Sequence, residues 1–293
     1  MTLDDALDLF LTQLRADGRS EHTIQQYARH VHLFGAWLDQ EGRGRDAAAT
    51  TPEVVAAFLA SSTARARADG RPRRATSANA LRSSLRGFFS YLHRAGHLDQ
   101  DPTRLVRLAI CGTPPPRALG DDEVGRLLAV LAAVEEPEAR RDHALFHLML
   151  GAGLRVGSAV ALDVEDVDLD ARVVHVRRAK RDQPERVVLS AAVADHLRAF
   201  VGNRVTGPLF VGRGARRVTA RHVQRRFVWW LGRAGVARGA STHSLRHTFA
   251  TQLYRRTGDV LLVKEALRHR SVASTLVYAR CGDEGRLRAA MEG

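Results

Sequence analysis

The chain has 293 residues, 45% of them hydrophobic and 26% charged, enough apolar material for packed cores, which excludes a disordered polar tail. Its longest aliphatic run, Leu127 to Val134, is far short of the ~18 apolar residues of a spanning helix, and the acidic, amphipathic start MTLDDALDLF lacks the basic-then-apolar order of a secretory signal, so a cytoplasmic protein with no membrane partner is expected. The formal net charge is +13 and only two of the 45 basic residues are lysine, Lys180 and Lys264; a polyanion is the expected partner, nucleic acid before a membrane surface.

In chain order, Leu3, Leu7, Phe10, Leu11 and Leu14 recur at helical spacing up to Gly18. Ser20 caps a second predicted helix with Ile24, Tyr27, Val31, Phe34, Trp37 and Leu38 on one face. Thr51-Pro52-Glu53 starts a third, a capping hydroxyl followed by a first-turn proline. Arg65 to Arg74 reads as a basic loop, and Leu81, Leu85, Phe88, Phe89 and Leu92 mark a further helix. Together these predict a compact helical bundle. CGTPPPR, residues 111–117, breaks any helix and marks a domain boundary.

Beyond it, Asp121-Asp122-Glu123 suits a helix N-terminus, and an apolar helical stretch runs through Leu150. Val173–Val176 and Val187–Leu189 flank a polar connection, the pattern of a β-hairpin. The rest reads as helical apart from a short strand at Leu209–Val211. From Asp195 to Asp259 there are 13 arginines and no carboxylate between, so this stretch is expected to supply much of the anion-binding surface. Cys111 and Cys281 match neither a disulfide framework nor a metal spacing and read as reduced thiols.

Four segments carry side chains suited to chemistry. GLRVGSAVALDVEDVD places Arg155 just after a glycine break; taken alone it is also an ordinary surface arginine. RRAKRDQPERVVLS puts Lys180 near a hairpin tip, where it is either a solvated turn residue or an amine reaching a substrate. STHSLRHTFATQLY holds His243, Arg246 and His247. The i, i+4 histidines match a zinc pair, yet serine stands where HExxH has its glutamate and no third ligand follows, so no metal is expected. His143 and His147 repeat the spacing and read as structural. ALRHRSVASTLVYAR places His269 nine residues before Tyr278.

Taken together, GLRV with LDVEDVD, the lysine hairpin, HSLRHTFAT, and LRH with the later tyrosine resemble the tyrosine recombinase (phage integrase) family, in an Xer-like two-domain form. GRSEHTIQQYARHVHLFGAWL and ALRSSLRGFFSYLHRAGHLDQDP are similar to its core-binding domain. The resemblance implies a mainly α fold: a SAM-like helical bundle over residues 1–110, a linker at 111–117, and a mostly helical catalytic domain with a small antiparallel β-sheet over 118–293. It implies that Arg155 and Arg246 hold the scissile phosphate, that Tyr278 is the nucleophile, and that Lys180, His243 and His269 complete the site. Arg71, Arg73, Arg74, Arg221 and Arg225 are the candidate DNA contacts.

The implied activity is site-specific recombination of double-stranded DNA through a 3′-phosphotyrosine intermediate, without cofactor or metal. The implied partners are further copies of the chain, a tetramer of two dimers clamped on DNA, or a second related recombinase. The readings left open are a type IB topoisomerase-like activity and a DNA-binding clamp without catalysis. The chain departs from the family pattern at Ser158, where an acidic residue is common, and at Arg268, where glycine is usual. Lys180 also lies one residue further from Arg186 than the common hairpin spacing, which without a gap would select Arg181.

Overall fold

Side-chain hydroxyls begin four of the five helices described in the first hundred residues, all but the one that opens at Ala75. In the structure, a computed structural model, Thr2, Ser20, Thr51 and Ser61 each accept a backbone N–H from the following turn, at the starts of α1 (Leu3–Ala16), α2 (Glu21–Gln40), α3 (Pro52–Ala60) and the short α4 (Ser62–Arg65). Each such cap contributes ~1 kcal/mol to its helix. The structure describes residues 1–67, 69–111, 117–178, 181–237, 239–269, 271–279 and 291–292, with only the backbone at 178, 181–184, 273 and 279. Lys180, Cys281 and the side chain of Arg181 lie outside the described residues.

Two compact units divide at Thr113 and Pro114. In the first, α5 (Ala75–Arg94) joins α1 and α2 around an aromatic core. Phe34 meets Phe58 and Phe89 edge-on at 5.1 and 5.8 Å, and Phe10 meets Phe88 at 5.7 Å; such pairs add ~0.5–1.5 kcal/mol beyond the area they bury. Helix α5 can approach α2 because residue 87 is glycine: a Cβ there would stand 2.9 Å from Cε1 of Tyr27. The basic loop between α4 and α5 is held by Arg73, whose Nε and Nη2 donate to the carbonyls of Ala64 and Ala66 at 3.0 and 3.2 Å. Arg71 and Arg74 are exposed beside it.

The apolar stretch that reads as continuous through Leu150 is two helices, α6 (Asp121–Ala132) and α7 (Pro137–Ala152). Pro137 has no N–H to give to a preceding turn but fits the first turn of a new helix. Helix α7 is the buried spine of the second unit, with Ala144, Leu145, Phe146, Leu148 and Met149 fully enclosed. Then come α8 (Val156–Ala161) and the strands β1 (Val167–Asp168), β2 (Val173–Arg178) and β3 (Arg181–Val188), antiparallel in the order β1-β2-β3. Val174 pairs with Val187 and His175 with Arg186, which gives the predicted hairpin. Helices α9 (Ala191–Val201), α10 (Ala220–Arg233), α11 (Thr242–Thr257), α12 (Val260–Leu267) and α13 (Leu276–Ala279) follow.

The predicted strand at Leu209–Val211 does not form. Only isolated bridges pair there, Pro208 with Asp163 and Val211 with Arg217, because Leu209 and Phe210 both turn into the core instead of alternating as a half-buried strand would. The arginine-rich stretch likewise differs from a uniform basic surface. Arg204 donates to the carbonyls of Pro208 and Leu209, Arg217 to those of Val160 and Leu162, and Arg226 to a carboxylate. Arg213, Arg216, Arg221, Arg225, Arg255 and Arg256 project to solvent.

The carboxylate that holds Arg226 is Asp142, 1% exposed on α7. One oxygen takes Nε and Nη2 of Arg141 at 3.0 and 2.6 Å; the other takes Arg226 Nε at 2.6 Å and Trp230 Nε1 at 2.8 Å. This ties α10 to the spine, and its removal strands the Arg141 guanidinium, itself 3% exposed. Asp142→Ala should lower the stability of this unit by about 3–5 kcal/mol, read from its denaturant midpoint. A loss below about 1 kcal/mol would show that Arg141 finds another counter-charge.

Candidate active site

The site begins at the end of α7, where Gly153 takes φ +62. That left-handed turn favours glycine, and a Cβ at this position would also stand 2.4 Å from Cδ1 of Phe249 on α11. The turn aims the Gly153 carbonyl at α11, where Nη1 of Arg246 donates to it; Nη2 donates to the carbonyl of Leu267, the last residue of α12. Arg246 is 2% exposed. These carbonyls are its hydrogen-bond partners among the described residues, and Glu185 attracts it without bonding to it, so its charge is oriented and only partly offset. Two residues past Gly153, the exposed Arg155 caps α8; it opens the next helix and does not end the previous one.

Helix α11 starts at Ser241, whose Oγ accepts the N–H of His243 while Ser244 Oγ accepts that of Ser241. This start places His243, Arg246 and His247 within one and a half turns. Thr248 fixes the helix from the other side, its Oγ1 accepting the N–H of Leu119 at 2.8 Å. His269 follows the C-terminus of α12, and its Nδ1 lies 2.8 Å from Oγ1 of the fully buried Thr275.

Tyr278 on α13 is 2% exposed and packs with Ala250, Val263 and Leu267. Its ring is nearly parallel to His269, at 19° and 6.4 Å, and its hydroxyl lies 2.7 Å from Nδ1 of His247.

Burial raises the Tyr278 phenol, against the opposing pull of Arg246 and Arg155. Burial first, then repulsion by Arg246 and Arg155, lowers His243 and holds His269 at about 4. Burial, with repulsion from His243, Arg246 and His269, holds His247 at about 4. Even Arg246 falls to about 10, through burial and its neighbour Arg155. Near neutral pH the site therefore holds charged guanidiniums, neutral imidazoles and a protonated phenol.

Arg155, His243, Arg246, His269 and Tyr278 thus act on one another in one place. Lys180, which follows β2 and precedes β3 in the chain, lies outside the described residues. Arg155 and His243 also line a cleft of about 710 Å³ with Ser158 and with Gln224 and Val228 of α10, the helix that exposes Arg221 and Arg225. Two contacts were not legible in the sequence. One is His247 on Tyr278, for which the only signal was the i, i+4 histidine pair, read there against a metal template. The other is Arg268: its Nε pairs with Glu185 of β3 at 3.2 Å and its Nη2 donates to the Arg186 carbonyl at 3.0 Å, joining the residue before His269 to the hairpin.

An oriented guanidinium, a second one acting on the same tyrosine hydroxyl, and neutral imidazoles to carry protons are the equipment of a phosphoryl-transfer site. Residues 117–284 match the phage integrase family, and residues 7–96 match the phage integrase N-terminal SAM-like domain. The chain is 31% identical over 278 residues to tyrosine recombinase XerC of Neisseria meningitidis serogroup B, across 94% of this chain and 90% of that protein. In fold it is similar to the Tn1549 transposon integrase in complex with a circular intermediate DNA, at 16% identity, TM-score 0.76 and 98% of both chains. It is also similar to XerH site-specific recombinase bound to difH substrate, at 22% identity, TM-score 0.70, 92% of this chain and 78% of that one. The chain belongs to the phage integrase family of tyrosine recombinases.

Arg268 stands where that family usually has glycine, and its φ of +53 explains the usual choice: it is the left-handed C-cap of α12. The contacts to Glu185 and Arg186 hold a side chain there against its conformational preference. Both Arg268→Ala and Arg268→Gly delete those contacts, but only alanine retains a Cβ in the left-handed region. The alanine variant should be the less stable of the two by about 1 kcal/mol, measured by thermal unfolding, and a more stable alanine variant would contradict this account.

Proposed function

We propose that this chain recombines DNA at specific sites by breaking and rejoining strands through Tyr278. The observation that carries the reading is the placement of the Tyr278 hydroxyl, in a buried basic site, under the influence of Arg246 and Arg155 and bonded to a neutral imidazole. The similarity to XerC along nearly the whole chain favours recombination over a topoisomerase-like activity or a clamp without catalysis.

In this mechanism Arg155 and Arg246 grip the nonbridging oxygens of a phosphodiester and stabilise the charge that gathers there in the transition state. Guanidiniums suit this role because they keep their protons. The phenol oxygen attacks phosphorus, the bond to the 5′ oxygen breaks, and a 3′-phosphotyrosine forms. Lys180 gives the departing oxygen its proton, and His243 and His269 position the phosphate and assist proton transfer. Because the phosphotyrosine keeps the energy of the original diester, a 5′-hydroxyl reverses the step without ATP or metal.

Duplex DNA is the partner. Arg221 and Arg225 contact its phosphates from α10, beside the cleft of Arg155 and His243, and Arg71 and Arg74 do so from the loop that Arg73 shapes. Four copies of the chain, or two with two of a related recombinase, bring two DNA sites together. The protein works in the cytoplasm, consistent with the absence, among the described residues, of any helix long and apolar enough to cross a membrane.

Two variants test the chemistry. Tyr278→Phe should bind duplex DNA as well as the parent yet form no SDS-resistant adduct; adducts that persist would refute the nucleophile assignment. Lys180→Ala should cleave ordinary DNA ~10²-fold or more slowly and recover on DNA with a 5′-bridging phosphorothiolate, whose sulfur leaves without a proton. Rescue that follows Arg181→Ala instead would move the general acid by one residue.

A further inference from the structure

The reading of Tyr278 as nucleophile leaves open where its proton goes. Among the described residues, the side chain that touches the reacting oxygen is His247, with Nδ1 2.7 Å away. His243 and His269, which the family pattern supplies, are placed otherwise. His269 faces Tyr278 ring to ring and turns its Nδ1 to Thr275, and His243 meets the His247 ring edge-on at 4.4 Å.

We propose that His247 is a further catalytic residue of the recombination reaction, which orients the Tyr278 hydroxyl and accepts its proton as the oxygen attacks phosphorus. The inference rests on the reading of Tyr278 above. A neutral imidazole has one acceptor nitrogen; in the tautomer the proposal requires, the ring hydrogen sits on Nε2 and the Tyr278 hydroxyl donates to Nδ1. His247 immediately follows Arg246 on α11, so one rigid helical turn carries both the phosphate-gripping guanidinium and the group that holds the nucleophile.

In the forward step the oxygen–phosphorus bond forms while the phenolic proton passes to Nδ1. The bond to the 5′ oxygen breaks, and that oxygen takes a proton from the general acid. On rejoining, the 5′-hydroxyl attacks and gives its proton back to the general acid, now deprotonated, while the bond to the phenol oxygen breaks and the imidazolium returns its proton to that oxygen, so His247 serves as base and then as acid.

The charges around His247 also make the transfer depend on DNA. His243 and Arg246 face it from α11, His269 from the end of α12, and Tyr278 from α13, with Arg155 acting on the same cluster from the start of α8. Burial first, and then the positive charge of Arg246 and any charge taken up by His243 or His269, keeps His247 unprotonated, and burial keeps the phenol protonated. A phosphodiester anion seated between the arginines offsets the repulsion and raises the basicity of the imidazole. The phenol is thus activated when there is a phosphate to attack.

The test is single-turnover cleavage of a suicide duplex between about pH 5 and pH 9 by the parent chain, His247→Ala and His247→Asn; asparagine puts an uncharged acceptor near the Nδ1 position and cannot take the proton. Duplex affinity and thermal unfolding of each variant establish that it folds and binds. The parent rate should rise with pH through one inflection and level off. His247→Asn should bind like the parent but cleave ~10²-fold more slowly at pH 7, with a rate that keeps climbing with pH, and His247→Ala should be slower still. Parent-like rates in the variants, or slower rates that keep the parent inflection, would overturn the proposal while leaving Tyr278 as nucleophile. No adduct from the parent chain would overturn the reading of Tyr278 together with it.

Discussion

A buried guanidinium bonded, among the described residues, to carbonyls and to no carboxylate organises the second unit of this protein. Arg246 is held by the carbonyls of Gly153 and Leu267, dipoles that fix its direction and leave most of its charge for something else. A full charge out of water is costly unless it is paired, and here the carbonyl dipoles and the more distant Glu185 offset that cost only in part, since the guanidinium still falls to about 10. The carbonyls come from the ends of α7 and α12, and the guanidinium from α11. One interaction therefore sets three segments in register, and Arg155, His269 and Tyr278 enter the site from the chain just beyond those helix ends.

A second buried charge makes the contrast plain. Asp142 lies equally deep but is saturated by Arg141, Arg226 and Trp230, and its work is to fix α10 against the spine. Its network is closed, whereas that of Arg246 is open on one side. The same division runs through the arginines at large. Arg73, Arg204 and Arg217 hold loops by capping carbonyls, while Arg221 and Arg225 project from a helix whose neighbouring residues line the cleft beside His243. Net charge thus indicates the kind of partner, and the hydrogen bonds decide which arginines are free to meet it.

What the sequence disclosed follows the same physics. Helix starts were legible at Ser20 and Thr51, where a hydroxyl precedes an apolar period, and the hairpin at Val173–Val176 and Val187–Leu189, where β-branched runs flank a polar turn. The site residues were legible as a pattern because helix ends and turns hold them at set spacings, as Gly153 does for Arg155. The rest depends on contacts distant along the chain. His247 meets Tyr278 across 31 residues, and nothing local marks that histidine as the tyrosine's partner. Arg268 reaches a carbonyl 82 residues away, where the sequence displays only a missing glycine. Leu209–Val211 is apolar and β-prone, but its fate was set by the core it faces.

The central claim is that one tyrosine, at this basic site, becomes joined to DNA. The most direct measurement is mass spectrometry of the covalent adduct trapped on a suicide duplex, after digestion with trypsin and nuclease. The account predicts a nucleotide remnant on the peptide of residues 271–280, linked through phosphate to Tyr278. A remnant on any other residue, Tyr254 of α11 among them, or a chain that binds its DNA and never becomes attached to it, would contradict the account.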